Sequence, residues 1–241
     1  MSTPPSLSLL LNRWSQRISL SDEARRATDA LSYFHRAYDR EAYLVREGEE
    51  PQFCAVLLSG YAFRQKLVSN GSRQIISLHI PGEFVDLQNL LLATADHSVQ
   101  SAGRSEVALI PKHALLGLMA AHRDVARAVW IDTLIDSSVF REWVVNVGRR
   151  DAMTRIAHLI CELMFRLERA GLCVDQGCDF PFTQEQIADA TGLTAVHTNR
   201  KLQELRRMGV LTLATNRLSV VDWPALREIG DFGERYLHYD S

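Results

Sequence analysis

The residues best equipped for chemistry lie close together in the run Phe182–Leu211, and they are hydrogen-bond donors rather than nucleophiles. Arg200 offers a planar fork that reads guanine bidentately, and the Asn199 amide can pair with adenine. At about 100° per residue, Val196, His197, Arg200 and Arg207 share one side of a helix, with Asn199 on its flank. Ala195, Thr198, Leu202 and Leu205 share the opposite side, which suits packing against a domain. Lys201, Arg206 and Arg207 add positive charge beside any phosphate, with Glu204 against them. Such a face is suited to the edges and backbone of duplex DNA.

Flanking signals say how that helix is held. Thr183 followed by Gln186 is a capping-box pair that starts a first short helix, with Ile187, Ala188 and Thr191 inward. Gly192 supplies a tight turn and Thr194 caps the second helix, which runs to about Met208. Together they predict a helix-turn-helix. Val210–Leu213, a turn at Ala214–Arg217 and Leu218–Val221 form a hairpin where a wing belongs, with Arg217 at its tip. Asp222 and Pro224 start a last short helix. Upstream, Ile156, Leu159, Ile160, Leu163, Met164 and Leu167 give one apolar helical face, stopped at Gly171.

The first half has another texture. Short helices are expected over the first forty residues, where Ser21-Asp22-Glu23 has cap character and Ala24, Ala27, Leu31 and Phe34 recur at helical spacing. Short β-rich runs follow at Ala42–Arg46, Phe53–Leu58, Tyr61–Val68, Arg73–Ile80 and Val107–Ile110. Asn70-Gly71 between two of them predicts a hairpin with a type I′ turn. The pattern implies a jelly-roll-like β-roll. From about residue 122 to 147 one long helix is expected, apolar on more than one stripe. Such a helix needs two surfaces to pack on, its own roll and the same helix of a second subunit. A homodimer seam through Ile131, Leu134, Ser138 and Val145 suits this, interrupted by Arg141. Arg149-Arg150-Asp151 reads as a hinge. The fold class is α+β. A sensor roll with its dimerisation helix is expected over 1–148, and a winged helix-turn-helix over 149–241.

Composition agrees. The 241 residues suffice for two domains, and 46% hydrophobic with 23% charged residues is ordinary globular composition. A net charge of −2 excludes coating nucleic acid by bulk charge, not a local basic patch. No run approaches the roughly 20 apolar residues that span a bilayer, so no membrane partner is expected. Leu7–Leu11 meets Arg13 and Trp14 at once and does not read as a signal peptide. Cys54, Cys161, Cys173 and Cys178 are expected to be reduced thiols in a cytoplasmic protein. A nucleophile elbow, a phosphate-binding glycine loop and a dense acid/base cluster are all missing, so no enzyme is expected.

In this order of elements the chain resembles the CRP/FNR superfamily of bacterial regulators. The resemblance rests on Arg46-Glu47-Gly48, Leu58-Ser59-Gly60, Asn70-Gly71-Ser72-Arg73-Gln74, Pro81-Gly82-Glu83-Phe84 and above all Thr183–Leu211. It implies that Thr183, Gln184, Thr194 and His197 touch phosphates and that Val196, Asn199 and Arg200 read bases. It also implies a dimer on near-palindromic DNA that works with RNA polymerase. Many family members carry glutamate where Val196 stands; valine cannot accept from cytosine but can contact a thymine methyl.

The resemblance also frames the signal. Nucleotide-binding members carry a Gly-Glu pair after the phenylalanine and an Arg-Ser or Arg-Thr pair beyond. Here Phe84-Val85-Asp86-Leu87-Gln88-Asn89 and Ala93–Ser98 replace them, without arginine and with Asp86 and Asp96 where an anion would sit. A cyclic nucleotide is therefore not expected. Phe84, Asp86, Gln88, His97 and Ser98 remain as a pocket for some small-molecule effector. No cysteine precedes Cys54, against an iron–sulfur cluster, and lone histidines at His79 and His97 argue against haem. No cofactor or metal is expected. The alternatives are a thiol- or metal-responsive regulator using His158, Cys161, Cys173 and Cys178, or a ligand-binding regulatory subunit without DNA.

Overall fold

The computed structural model describes residues 6–173, 177–214 and 216–239. The chain forms two compact units. One comprises Met1–Gln65, Leu78–Ser137 and His238–Ser241, the other Lys66–Ser77 and Ser138–Leu237. The division falls inside the long helix, eleven residues before the boundary expected at 148.

The first unit opens with helices α1 (Ser8–Ser15) and α2 (Asp22–Asp29). Ser21 caps α2, its Oγ accepting from the Ala24 N–H at 3.2 Å. Strands β1 (Phe34–Tyr38), β2 (Tyr43–Val45), β3 (Phe53–Ser59), β4 (Ala62–Leu67), β5 (Arg73–His79), β6 (Ser98–Ser101) and β7 (Ser105–Pro111) form two sheets, ordered β1-β7-β3 and β2-β6-β4-β5. Ala55, Leu57, Ala62, Val85, Val99 and Val107 fill the space within the roll. A second core joins Leu7, Leu10 and Trp14 to Val56, Phe84, Ile110 and the following helices. Helix α3 (Lys112–Ala121) precedes the 27-residue α4 (Arg123–Arg149).

Two expectations are corrected here. Phe34 does not continue a helix: it opens β1, whose edge pairing with β7 (Phe34↔Leu109) overrides the local spacing. The β4–β5 connection is not a type I′ turn, because only Gly71 has positive φ (84°) while Asn70 does not. The Gly71 N–H donates to Val68 O, the Val68 N–H to Ser72 O, and Asn70 Oδ1 accepts from the Ser72 N–H, so the loop has three residues and a left-handed glycine. Strand β6 and helix α3 were not foreseen, while the start of α4 falls where the long helix was expected.

Asp132 on α4 anchors α1. Its carboxylate accepts from Trp14 Nε1 (2.7 Å), Arg17 Nη1 (3.0 Å) and Arg13 Nε (3.2 Å), and Arg13 also pairs with Glu83 at 2.8 Å. All but Arg13 are buried.

The second unit contains the C-terminal part of α4, then α5 (Ala152–Arg169), β8 (Gly177–Asp179), α6 (Gln184–Thr191), α7 (Ala195–Arg207), β9 (Leu211–Ala214), β10 (Arg217–Val220) and α8 (Trp223–Ile229). Asp151 caps α5, accepting from the Met153 and Thr154 N–H groups at 2.8 and 3.1 Å. The six apolar residues expected on its inward face are all buried. Glu162, also on α5, accepts from Trp143 Nε1 (3.0 Å), Arg166 Nη1 (3.0 Å) and Tyr236 Oη (2.9 Å). The wing is a three-stranded sheet, β8-β10-β9, rather than a bare hairpin.

Removing the Asp132 carboxylate takes a buried acceptor from Arg13, Arg17 and the Trp14 indole N–H at once. Asp132→Ala is expected to cost about 3–5 kcal/mol, read as a lower urea midpoint for the first unit by tryptophan fluorescence.

Candidate nucleic-acid interface

Two caps and one turn build the interface. Thr183 Oγ1 accepts from the Gln186 N–H at 3.1 Å while Gln186 Oε1 accepts from the Thr183 N–H at 3.0 Å, completing the reciprocal box that starts α6. Gly192 ends α6 in the left-handed region (φ 64°) that its missing Cβ permits. Thr194 Oγ1 accepts from the His197 N–H at 3.2 Å and starts α7. Each threonine hydroxyl proton stays available for an outside acceptor. Arg155, which the sequence reading did not single out, grips this turn. Its Nη1 donates to Thr191 O (3.1 Å) and its Nε to Arg150 O (2.8 Å). A guanidinium at the carbonyl end of α6 also opposes the helix dipole.

Thr198, Leu202 and Leu205 are buried, as the helical wheel requires, together with Ile187, Ala188 and Thr191. Ala195 is exposed instead, because it occupies the first turn of α7, whose outer end is not covered. Val196 is 83% exposed, Asn199 and Arg200 are exposed, and His197 is half-buried. Gln184 Nε2 donates to Asn199 Oδ1 at 3.3 Å. Lys201 Nζ is paired with Glu204 at 2.9 Å, which holds the Glu204 carboxyl below its usual range. Arg217 does not sit at the wing tip: it opens β10, opposite Ala214 on β9 and Asp179 on β8. On α6, Asp189 receives Arg73 Nε (2.6 Å) and, on its backbone oxygen, Gln74 Nε2 (2.7 Å).

The five residues expected to line an effector pocket make hydrogen bonds or packing contacts inside the protein. Phe84 and Asp86 are buried, and Asp86 Oδ1 accepts from the Ala55 N–H at 2.7 Å. Burial pushes the Asp86 carboxyl up to about 7, against the pull of that bond and of Arg64. Arg64 is committed to Val85 O (2.8 Å) and Asp136 (2.6 Å). His97 lies between Gln88 Nε2 (3.0 Å) and Asp96 Oδ1 (2.7 Å), its pKa lowered by burial and by Arg64, and Ser98 Oγ accepts from the Glu47 N–H at 3.0 Å. His79 is buried with its Nδ1 3.4 Å from the Glu83 carboxylate, and burial pushes its pKa down to about 4 against the pull of Glu83.

The thiols need correction. Cys173 and Cys178 are joined in a disulfide with Cα atoms 4.7 Å apart, because β8 brings Cys178 back beside the end of α5. Cys54 and Cys161 are free and buried, and burial pushes the Cys161 thiol up to about 12. The His158 nitrogens face Gly230 O (3.0 Å) and Tyr236 Oη (3.2 Å). Among the described residues no cluster of three or more His, Cys, Asp or Glu is arranged to hold a metal ion.

Residues 35–122 match the model of the cyclic nucleotide-binding domain, and residues 154–229 match that of the Crp-like helix-turn-helix domain. The chain belongs to the CRP/FNR family of transcription regulators. It is similar to the transcriptional activator protein FnrL of Cereibacter sphaeroides, 26% identical over 87% of this chain and 86% of that one. It is also similar to the nitrogen fixation regulation protein FixK of Rhizobium meliloti, 26% identical over 79% and 83% of the two chains. Among solved structures, FixK2 from Bradyrhizobium japonicum superposes with a TM-score of 0.76 at 22% identity, over 84% of this chain and all of that one. The CRP/FNR fold expected from the sequence is the fold found, and the curated relatives it matches are transcription regulators. No helix among the described residues is long and apolar enough to cross a membrane.

Asp86 sets a pH dependence. Its folded pKa of about 7 exceeds the unfolded value of about 3.9, so the native state holds the extra proton between them. The stability this group contributes is present below about pH 4 and lost as pH rises through about 7. Asp86→Asn keeps the acceptor for Ala55 and is expected to flatten that decline, measured as urea midpoints from pH 4 to 8.

Proposed function

We propose that this CRP/FNR regulator works as a cytoplasmic homodimer on near-palindromic duplex DNA, with α7 in the major groove. The observation that carries the reading is the outer face of α7, where Val196, Asn199 and Arg200 stand exposed on a helix fixed by Thr194 and Gly192. Arg200 reads guanine, Val196 meets a thymine methyl, and Thr183, Gln184, Thr194, His197, Lys201 and Arg217 serve the backbone. Two-fold symmetry spaces the half-sites about 34 Å apart.

The dimer is supported by α4, where Trp130, Leu134, Phe140, Val144 and Val145 are exposed apolar side chains on one broad stripe. Ile131 is half-buried and Ser138 buried within the protomer, so the seam we propose runs through Trp130, Leu134 and Val145 rather than through those two. The roll receives the signal. An effector there must be something other than a classical cyclic nucleotide, since Asp86 and His97 replace the family's phosphate-binding features and are bonded internally. Signal binding changes the packing of the paired helices and shifts the population competent to bind DNA and engage RNA polymerase.

Selection of bound sequences from a random duplex pool is expected to return a symmetric motif. Arg200→Ala is expected to cost about 1–3 kcal/mol on that motif and little on random DNA. A chain that binds the motif tightly while sedimenting as a monomer would refute the dimer.

The Cys173–Cys178 pair favours a second reading, a thiol-responsive regulator of the same fold. Hydrogen peroxide accepts two electrons and two protons from the dithiol, leaving the disulfide and two waters, and a cellular dithiol reverses the thiol oxidation by exchange. The bond ties the end of α5 to β8, which pairs with β10 of the wing (Leu218↔Cys178). Peroxide- and dithiothreitol-treated protein are expected to differ in operator affinity, and Cys173→Ser to abolish the difference. Equal affinities would sink this reading.

A further inference from the structure

We propose that Gln184 fixes the amide of Asn199 so that the reading face of α7 presents donors and a methyl-seeking surface, and therefore selects keto bases, guanine and thymine. The proposal rests on the docking of α7 in the major groove argued above. It concerns which base edges that face can read.

The decisive contact is between the two helices. Gln184 is the first residue of α6 and Asn199 lies in the second turn of α7, and Gln184 Nε2 donates to Asn199 Oδ1 at 3.3 Å. Their backbones are held in place by the capping box at Thr183, the left-handed Gly192, the Thr194 cap and the Arg155 grip on Thr191 O. With its oxygen engaged, Asn199 turns an NH2 group outward, carrying two donors and no acceptor.

The neighbours on that face reinforce the restriction. Arg200 is a donor only, and Val196 neither donates nor accepts. The nearest carboxylate on α7, Glu204, is a full turn beyond Arg200 and holds Lys201. On the outward side of these two turns the acceptors besides the engaged Asn199 Oδ1 reduce to His197, which is half-buried, because the Thr198 hydroxyl is buried against the domain.

Base edges sort cleanly against this set. Guanine offers two acceptors, and thymine offers an acceptor and a methyl group. Cytosine offers a donor, and adenine a donor beside an acceptor. Bidentate pairing of an asparagine with adenine needs the amide oxygen facing the base, and here it faces Gln184. Gln184 is thus a positioning residue that sets specificity through Asn199.

Two substitutions at this exposed site separate the cases. Lysine at 184 can only donate, so Gln184→Lys keeps Asn199 in the same orientation. Glutamate can only accept, so Gln184→Glu draws the Asn199 NH2 inward and turns its oxygen toward DNA. Sequences are selected from a random pool by wild type, both variants and Asn199→Ala, which marks the base position by losing preference there. Wild type and Gln184→Lys are expected to prefer guanine or thymine over adenine at that position by about fivefold or more. Gln184→Glu is expected to shift toward adenine. Wild type sharing the preference of Gln184→Glu, or the same preference in all three, would overturn the proposal. Recovery of no motif by any chain would instead refute the DNA docking itself, and the proposal with it.

Discussion

A buried carboxylate must be answered by donors on every side, and Glu162 is that constraint in the second unit. It is 1% exposed and accepts from Trp143 at the end of α4, Arg166 one turn along α5, and Tyr236 near the C-terminus. Each donor belongs to a different stretch of chain. The carboxylate is stable there only while all three stretches stay in place. His158 extends the same set, stacked on Tyr236 and bonded to Gly230 O, and Arg150 joins Glu142 to Asp231. The end of α4, the start of α5 and the C-terminal segment are thus tied together by side-chain bonds beneath α6 and α7. Arg150, in the stretch 149–151 read in the sequence as a hinge, supplies one of those ties.

What the sequence made legible was local chemistry. The capping box, the left-handed glycine, the Thr194 cap and the buried face of α7 depend on residues a few positions apart, and all were found. The misses depend on partners far along the chain. Phe34–Tyr38 is a strand because β7, about seventy residues later, offers it an edge. The Cys173–Cys178 bond exists because β8 pairs with β10. Ala195 looked inward on a wheel that knows nothing of where the covering helix ends. Of the recognition face, residue types were readable, but the amide pairing of Gln184 with Asn199 was not, since it joins two helices.

Several polar groups inside the roll are bonded to one another. Asp86 and His97 are each satisfied by neighbours, and Arg64 is spent on Val85 O and Asp136. A protein that fills its own cation with an internal carboxylate has little left to hold a phosphate. The chain nevertheless keeps the roll, the long helix and the winged domain in family order.

Val196, almost wholly exposed at the head of α7, carries one more consequence under the proposed docking. An isopropyl group senses a methyl in the groove, not the ring that bears it. Cytosine methylated at carbon 5 presents the same methyl that thymine does. At the step facing Val196, modification of the genome would therefore stand in for a change of sequence, and one operator would look different to this regulator before and after a methyltransferase had passed.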